Sequence, residues 1–173
     1  SPEQLTGGAR GVFFGRAEPT ITNRIDYVTI PTTGNAIDFG DMSGVGYAYA
    51  TSSSRIRGFC AGGSAPHGDV IDFITFSSTG NTTDTGNLSS SRYVLGGGCS
   101  DATRSIWAGG QGTASPHAAS DTMEYITSAS GGDAVDFGNL TTTQTAMASC
   151  SSSTRGLWAG GNSPAATNVI QYV

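Results

Sequence analysis

Residues 154–164 read TRGLWAGGNSP, a short apolar segment that runs into a double glycine and then a proline-containing loop. The chain carries this stretch four times. RIRGFCAGGSAP spans residues 55–66, TRSIWAGGQGTASP spans 103–116, and a divergent copy, ARGVFFGRAEP, spans 9–19. The four arginines, Arg10, Arg57, Arg104 and Arg155, are 47, 47 and 51 residues apart. A period of this size is the mark of a repeated supersecondary unit.

Two further landmarks keep step with the arginines. The first reads RIDYVTI, VIDFITF, TMEYITS and VIQYV, centred on Asp26, Asp72, Glu124 and Gln171. The second reads AIDFGDM, TDTGNL and VDFGNL, and its Asp38, Asp84 and Asp136 each follow the preceding acid by 12 residues. A constant step implies a fixed connection between paired elements. The segment between the double glycine and the first landmark varies in length instead, so tolerance to insertion is concentrated in one loop per copy.

The segments are short, rich in β-branched and aromatic residues, bounded by Gly, Ser, Thr, Asn or Pro, and alternate with period two. No run has helical spacing. Each period holds four strands: one before the arginine (YAYATS, RYVLGGG, TAMASC), one carrying it, and one at each landmark. The expected fold is therefore all-β, a single domain over residues 1–173 made of units 1–42, 43–88, 89–140 and 141–173. The last unit stops one strand short, which leaves an outer edge near Val173 whose N–H and C=O groups would favour self-association. Aligned on the arginine, Pro2 to Thr6 fall where the first unit needs its inner strand.

The order arginine, two apolar residues, double glycine, variable loop, apolar-acidic-aromatic resembles the kelch repeat. The last copy reads Arg155, Leu157, Trp158, Gly160, Gly161, Gln171, Tyr172, and the third reads Arg104, Ile106, Trp107, Gly109, Gly110, Glu124, Tyr125, Phe137. The resemblance covers residues 10–173 and implies a β-propeller of about four four-stranded blades, the last incomplete. It departs from the family where the fourth strand usually has Trp; Phe39, Thr85 and Phe137 stand there. The wording TGNAIDFGD and SSSTRGLWAGG is also similar to kelch-like arrays in structural and fibre proteins of marine tailed phages. That likeness implies an extracellular or virion location.

Composition narrows the function. Gly, Ser and Thr supply 70 of 173 residues, only 12% are charged, and the net charge is −5. Nucleic-acid binding rests on clustered Lys and Arg, so a nucleic-acid partner is not expected. No apolar run approaches the ~18 residues of a membrane span, so no membrane insertion is expected. Three cysteines without a CxxC pair indicate neither a disulfide framework nor a zinc site. Cys99 and Cys150 hold matching positions five residues before an arginine, and Cys60 takes the place of Trp107 and Trp158; all three read as small core residues.

The repeated Arg10, Arg57, Arg104 and Arg155 read as structural, bonded to carbonyls or paired with Asp38, Asp84 and Asp136. Those aspartates equally suit turns. His67 with Asp69 and His117 with Asp121 place a histidine near an acid in polar loops, but no spacing fixes a catalytic triad and no motif demands a metal. No catalytic residue, metal or cofactor is expected, and the chain does not read as an enzyme. The four loops, each with one proline (Pro19, Pro66, Pro116, Pro164), remain as the binding face. Its candidate residues are Glu18, Arg24, His67, Asp69, Gln111, His117, Asp121 and Asn162. Neutral polar loops suit a cell-surface glycan or a protein partner; the alternative is a structural subunit that assembles through open edges. Asn81, Asn87 and Asn139 lie in N-x-S/T patterns, which matter only in a glycosylating host.

Overall fold

The computed structural model describes residues 8–64, 68–93 and 97–173. It is all-β, with no helix among the described residues. The expectation for Pro2 to Thr6 lies outside them, as does His67.

Every copy of the repeat makes its own small antiparallel sheet. The first sheet joins β1 (Arg10–Arg16), β2 (Thr22–Thr29) and β3 (Ile37–Asp41) in that order. The second has four strands in chain order: β4 (Ala50–Ser53), β5 (Arg57–Ala61), β6 (Val70–Thr75) and β7 (Thr83–Asn87). A short β8 (Arg92–Tyr93) leads to the third sheet. That sheet runs β9 (Gly98–Ser100), β10 (Arg104–Ala108), β12 (Thr122–Thr127) and β13 (Val135–Asn139); β11 (Gln111–Gly112) leaves it to pair with β8. The fourth has three strands, β14 (Ala148–Ser151), β15 (Gly156–Ala159) and β16 (Ile170–Tyr172).

Period-two alternation turns successive side chains toward opposite neighbours. On β5, Phe59 packs toward the third sheet and Cys60 toward the first; on β10, Ile106 packs toward the fourth sheet and Trp107 toward the second. The core is accordingly three clusters, one in each gap between consecutive sheets, with Trp107 and Trp158 almost fully enclosed. Serines on the inner strands join the sheets: Ser100 Oγ donates to Ser53 O, and Ser151 Oγ donates to Ser100 O. Strands β4, β9 and β14 thus lie side by side.

The third and fourth strands of each unit link successive sheets further. Gly80 N donates to Phe39 O and Thr82 N to Asp41 O, while Gly132 N donates to Thr85 O and Ala134 N to Asn87 O. The outer edges of β3 and β7 are each covered in this way by the following sheet's hairpin loop. Asn81 Oδ1 and Asp133 Oδ1 add a bond to Asp41 N and Asn87 N. Gly40 and Gly86 are required here, because a Cβ on either would run into the backbone of Gly80 or Gly132. Gly138, the matching residue of β13, has nothing within 4 Å of its Cβ direction.

Two of the four repeated arginines bond to carbonyls of the following unit and all four stack on an aromatic ring. Arg10 Nη1 donates to Phe76 O at 2.6 Å, and Arg57 Nη1 donates to Ser128 O and Ala129 O at 3.2 and 2.8 Å. Each also stacks on its own sheet, Arg10 over Tyr27, Arg57 over Phe73, Arg104 over Tyr125 and Arg155 over Tyr172. Asp38, Asp84 and Asp136 instead accept from the N–H two residues on, at Gly40, Gly86 and Gly138.

One core expectation fails. Cys60 and Cys99 are buried, but Cys150 is exposed. Cys99 is covered by the fourth sheet, its Sγ lying 3.2 Å from Cys150 O and 3.5 Å from Leu157 O. Cys150 stands on the far side of that sheet, where no described sheet follows.

Candidate binding face

The loops that vary between copies start at the double glycines. Gly62–Gly63, Gly109–Gly110 and Gly160–Gly161 all have positive φ, between 65° and 119°, a conformation that turns the chain out of the second strand and that residues with a Cβ rarely adopt. The first copy has Gly15-Arg16 instead, and the strand continues: Arg16 pairs with Thr22 across a bulge.

The loops then bond to the segments that lead into the sheets. Gly63 N donates to Arg92 O, Ser64 N to Tyr47 O, Gly110 N to Gln144 O, and Asn162 N to Thr145 O. Loop and entry segment therefore lie on the same side of the molecule in the second, third and fourth units.

The longest loop, after Gly110, is also the most built. Strands β11 and β8 pair Gln111 with Tyr93, and Gln111 Nε2 donates to His117 O at 2.7 Å. His117 has φ 57° and its Nδ1 lies 3.1 Å from Gly112 O, with the ring edge-on to Tyr93 at 6.4 Å. An imidazole, a phenol and a primary amide are thus gathered at one exposed tip. The second unit's loop adjoins it, since Arg92 N donates to Gly68 O and Thr113 N to Ser91 O.

The remaining candidates are spread out. Asp69 and Asp121 are half-buried, and their carbonyls accept from Leu88 N and Leu140 N. Asn162 is exposed in a tight loop closed by Thr145 Oγ1, which donates to Asn162 O, and by a cis Ser163–Pro164 bond. Glu18 is exposed beside the cis bond to Pro19. Arg24, a loop-face candidate at the start of RIDYVTI, lies within β2 and is exposed. Its Nε donates to Asp26 Oδ1 at 2.7 Å, and that bond raises its pKa. Of the seven candidates among the described residues, the structure brings Gln111 and His117 into contact.

A second set of polar residues escaped the sequence reading. Asp72 Oδ2 accepts from Ser43 N, Ser43 Oγ and Thr82 Oγ1 at 3.2, 2.6 and 2.9 Å. Glu124 accepts from Ser89 N and Ser89 Oγ at 2.8 and 2.7 Å, and Gln171 Oε1 from Thr141 N and Thr141 Oγ1 at 2.7 and 2.8 Å. The centre of the first landmark in the second, third and fourth copies therefore clamps a Ser or Thr just beyond the preceding sheet, while Asp26 accepts from Arg24. The signal was legible as DMS, NLS and NLT at one phase of the repeat. Tyr93 left no such signal, since its role depends on the β8–β11 pairing.

No family model matches this chain, and no curated protein matches it. Among the described residues no group of three or more His, Cys, Asp and Glu is placed to hold a metal ion. His117 Nδ1 faces a backbone carbonyl and not an acid, a geometry suited to holding the loop tip in shape.

Proposed function

We propose that the protein is a non-enzymatic binding module, extracellular or virion-borne, that recognises a cell-surface glycan or protein through its loop face. In this reading the four sheets are the blades of a kelch-like propeller. One sheet per repeat and the side-by-side inner strands β4, β9 and β14 support it. The observation that carries the binding reading is the loop tip of Tyr93, Gln111 and His117, where a ring face and neutral polar groups are held by backbone hydrogen bonds. Such groups bind glycan hydroxyls and flat polar protein surfaces with little ordering cost.

The test is a screen of immobilised glycans and host-surface proteins with the natural protein and a Tyr93→Ala/His117→Ala variant. Binding that the double variant loses, at an unchanged unfolding midpoint, supports the reading. Equal binding by both proteins, or none by the natural one, sinks it.

A second reading, a structural subunit that assembles through its edges, draws on a different observation. Among the described residues strand β16 pairs with β15 alone, and Ile170 and Tyr172 are 67% and 65% exposed beside a cleft of about 240 Å³ that reaches Leu140 and Trp158. Open strands with apolar side chains favour edge pairing. Light scattering across a concentration series decides it: a constant single-chain mass removes this reading, and growing particles give it the lead.

A further inference from the structure

The clamps between sheets differ in charge in a way that points to a site. In the gap between the second and third sheets, the clamping acid Glu124 is met by Arg92; the two side chains are 1% and 2% exposed and hydrogen-bonded through Arg92 Nη2 and Glu124 Oε1. Arg92 Nη1 also donates to Gly109 O at 2.8 Å and Thr122 O at 3.3 Å. In the gap between the third and fourth sheets both groups are neutral. Gln171 is the clamp and Gln144 stands where Arg92 does.

In the gap between the first and second sheets the clamp is Asp72, 4% exposed, and the residue in the Arg92 position is Gly46. No side chain reaches in from Gly46, and a Cβ there would run into the hydroxyl of Tyr49. Asp72 Oδ2 is fully engaged, while Oδ1 is buried with no partner. Beside it lies a cavity of about 10 Å³ lined by Gly62, Val70, Tyr49, Cys60 and Asp72. Gly62 and Val70 are the counterparts of Gly109 and Thr122, and the backbone matches: Gly62 N donates to Val70 O at 3.1 Å as Gly109 N does to Thr122 O at 2.9 Å. The cavity thus occupies the place of the Arg92 guanidinium, with the same two residues and an acid around it.

We propose that this cavity binds one monovalent cation of about the size of a water molecule, potassium or ammonium, held by Asp72 Oδ1 and the carbonyls of Gly62 and Val70. A buried carboxylate without a counter-charge is strongly disfavoured, and the two other gaps are charge-balanced. The volume fits a single water-sized body. Carboxylate and carbonyl oxygens select hard cations, and the single negative charge of Asp72 balances a monovalent ion but not a divalent one. Burial raises the pKa of both Cys60 and Tyr49, so neither adds an anionic ligand near neutral pH.

The test is thermal unfolding of the full chain in potassium, sodium and N-methylglucamine chloride at one ionic strength. A cation that binds only the folded state raises the midpoint with its concentration. Potassium is expected to raise it in a saturable way and N-methylglucamine to leave it unchanged. Asp72→Asn keeps an oxygen for Ser43 and Thr82 and turns an amide N–H₂ toward the carbonyls, so it should fold and lose the response. Gly46→Arg with Tyr49→Met, which restores the guanidinium and uses the residue found at Met147, should lose it too. A midpoint independent of cation identity in the natural protein would mean that water fills the cavity, and overturns the proposal. An undiminished response in Asp72→Asn overturns it as well, by placing the cation elsewhere. Crystals soaked in rubidium chloride should give an anomalous peak beside Asp72; its absence counts against the site.

Discussion

Arg92 and Glu124 form an ion pair that is shut off from solvent between the second and third sheets. The first prediction follows from that enclosure. Arg92→Met strands a buried carboxylate and should lower the unfolding free energy by about 3–5 kcal/mol, while Arg92→Met with Glu124→Leu should recover most of the loss. Urea titrations of the two variants measure the difference. Equal losses in both would mean that the pair acts through Ser89 alone.

Gly40, Gly86 and Gly138 share a positive φ of 139° to 154° but not their surroundings. Alanine at Gly138 meets only the backbone penalty, about 1 kcal/mol. Alanine at Gly40 or Gly86 must also push away the backbone of Gly80 or Gly132, and should cost about 1–3 kcal/mol more. Denaturation midpoints that rank all three alike would show that the hairpin loops yield without cost.

The arginines give a graded series. Arg57→Ala removes two charge-assisted bonds to carbonyls together with the stacking on Phe73, a loss of about 2–3 kcal/mol. Arg104→Ala removes the stacking on Tyr125 beside an open cleft of about 370 Å³ and should cost about 0.5–1 kcal/mol. Calorimetry on the two variants checks the order.

Alkaline pH should weaken the fold through the thiols. Burial pushes the Cys99 pKa up to about 11 from 9.0, and burial raises that of Cys60 as well. A pKa raised in the folded state contributes stability that is whole below pH 9 and is lost as pH climbs toward and past 11. Midpoints measured from pH 8 to 11 should fall, and Cys99→Ser should flatten the lower part of that fall. Exposed Cys150 should react with a thiol reagent in the native protein while the other two stay protected until unfolding.

The strands were readable because period-two alternation, the arginine phase and the 12-residue step each leave a mark in one dimension. Phe59 with Cys60, and Ile106 with Trp107, point to opposite sheets as alternation requires. The repeated acids were readable as positions but not as partners. Asp72, Glu124 and Gln171 reach across to Ser43, Ser89 and Thr141, a contact between sheets that no single copy displays. The loop tip was half readable: Gln111 and His117 stood out as polar loop residues, while Tyr93 joins them only through the two-residue pairing of β8 and β11. Thr22 and Asn23, read as loop, belong to β2 because the strand carrying Arg16 continues where the other copies have a second glycine.

The clamps also bear on how such a chain can change by copying itself. Each acid or amide lies in the same unit as the group it must match, 26, 32 and 27 residues further along the chain, so a crossover that falls between the two exchanges half of a pair. Joining the segment that carries Gln144 to one that carries Glu124 would leave a carboxylate facing a neutral amide, and joining the Arg92 segment to Gln171 would bury an unanswered cation. The pairs Gly46 with Asp72, Arg92 with Glu124 and Gln144 with Gln171 therefore act as matched halves, which penalise recombinants that join the front of one unit to the back of another.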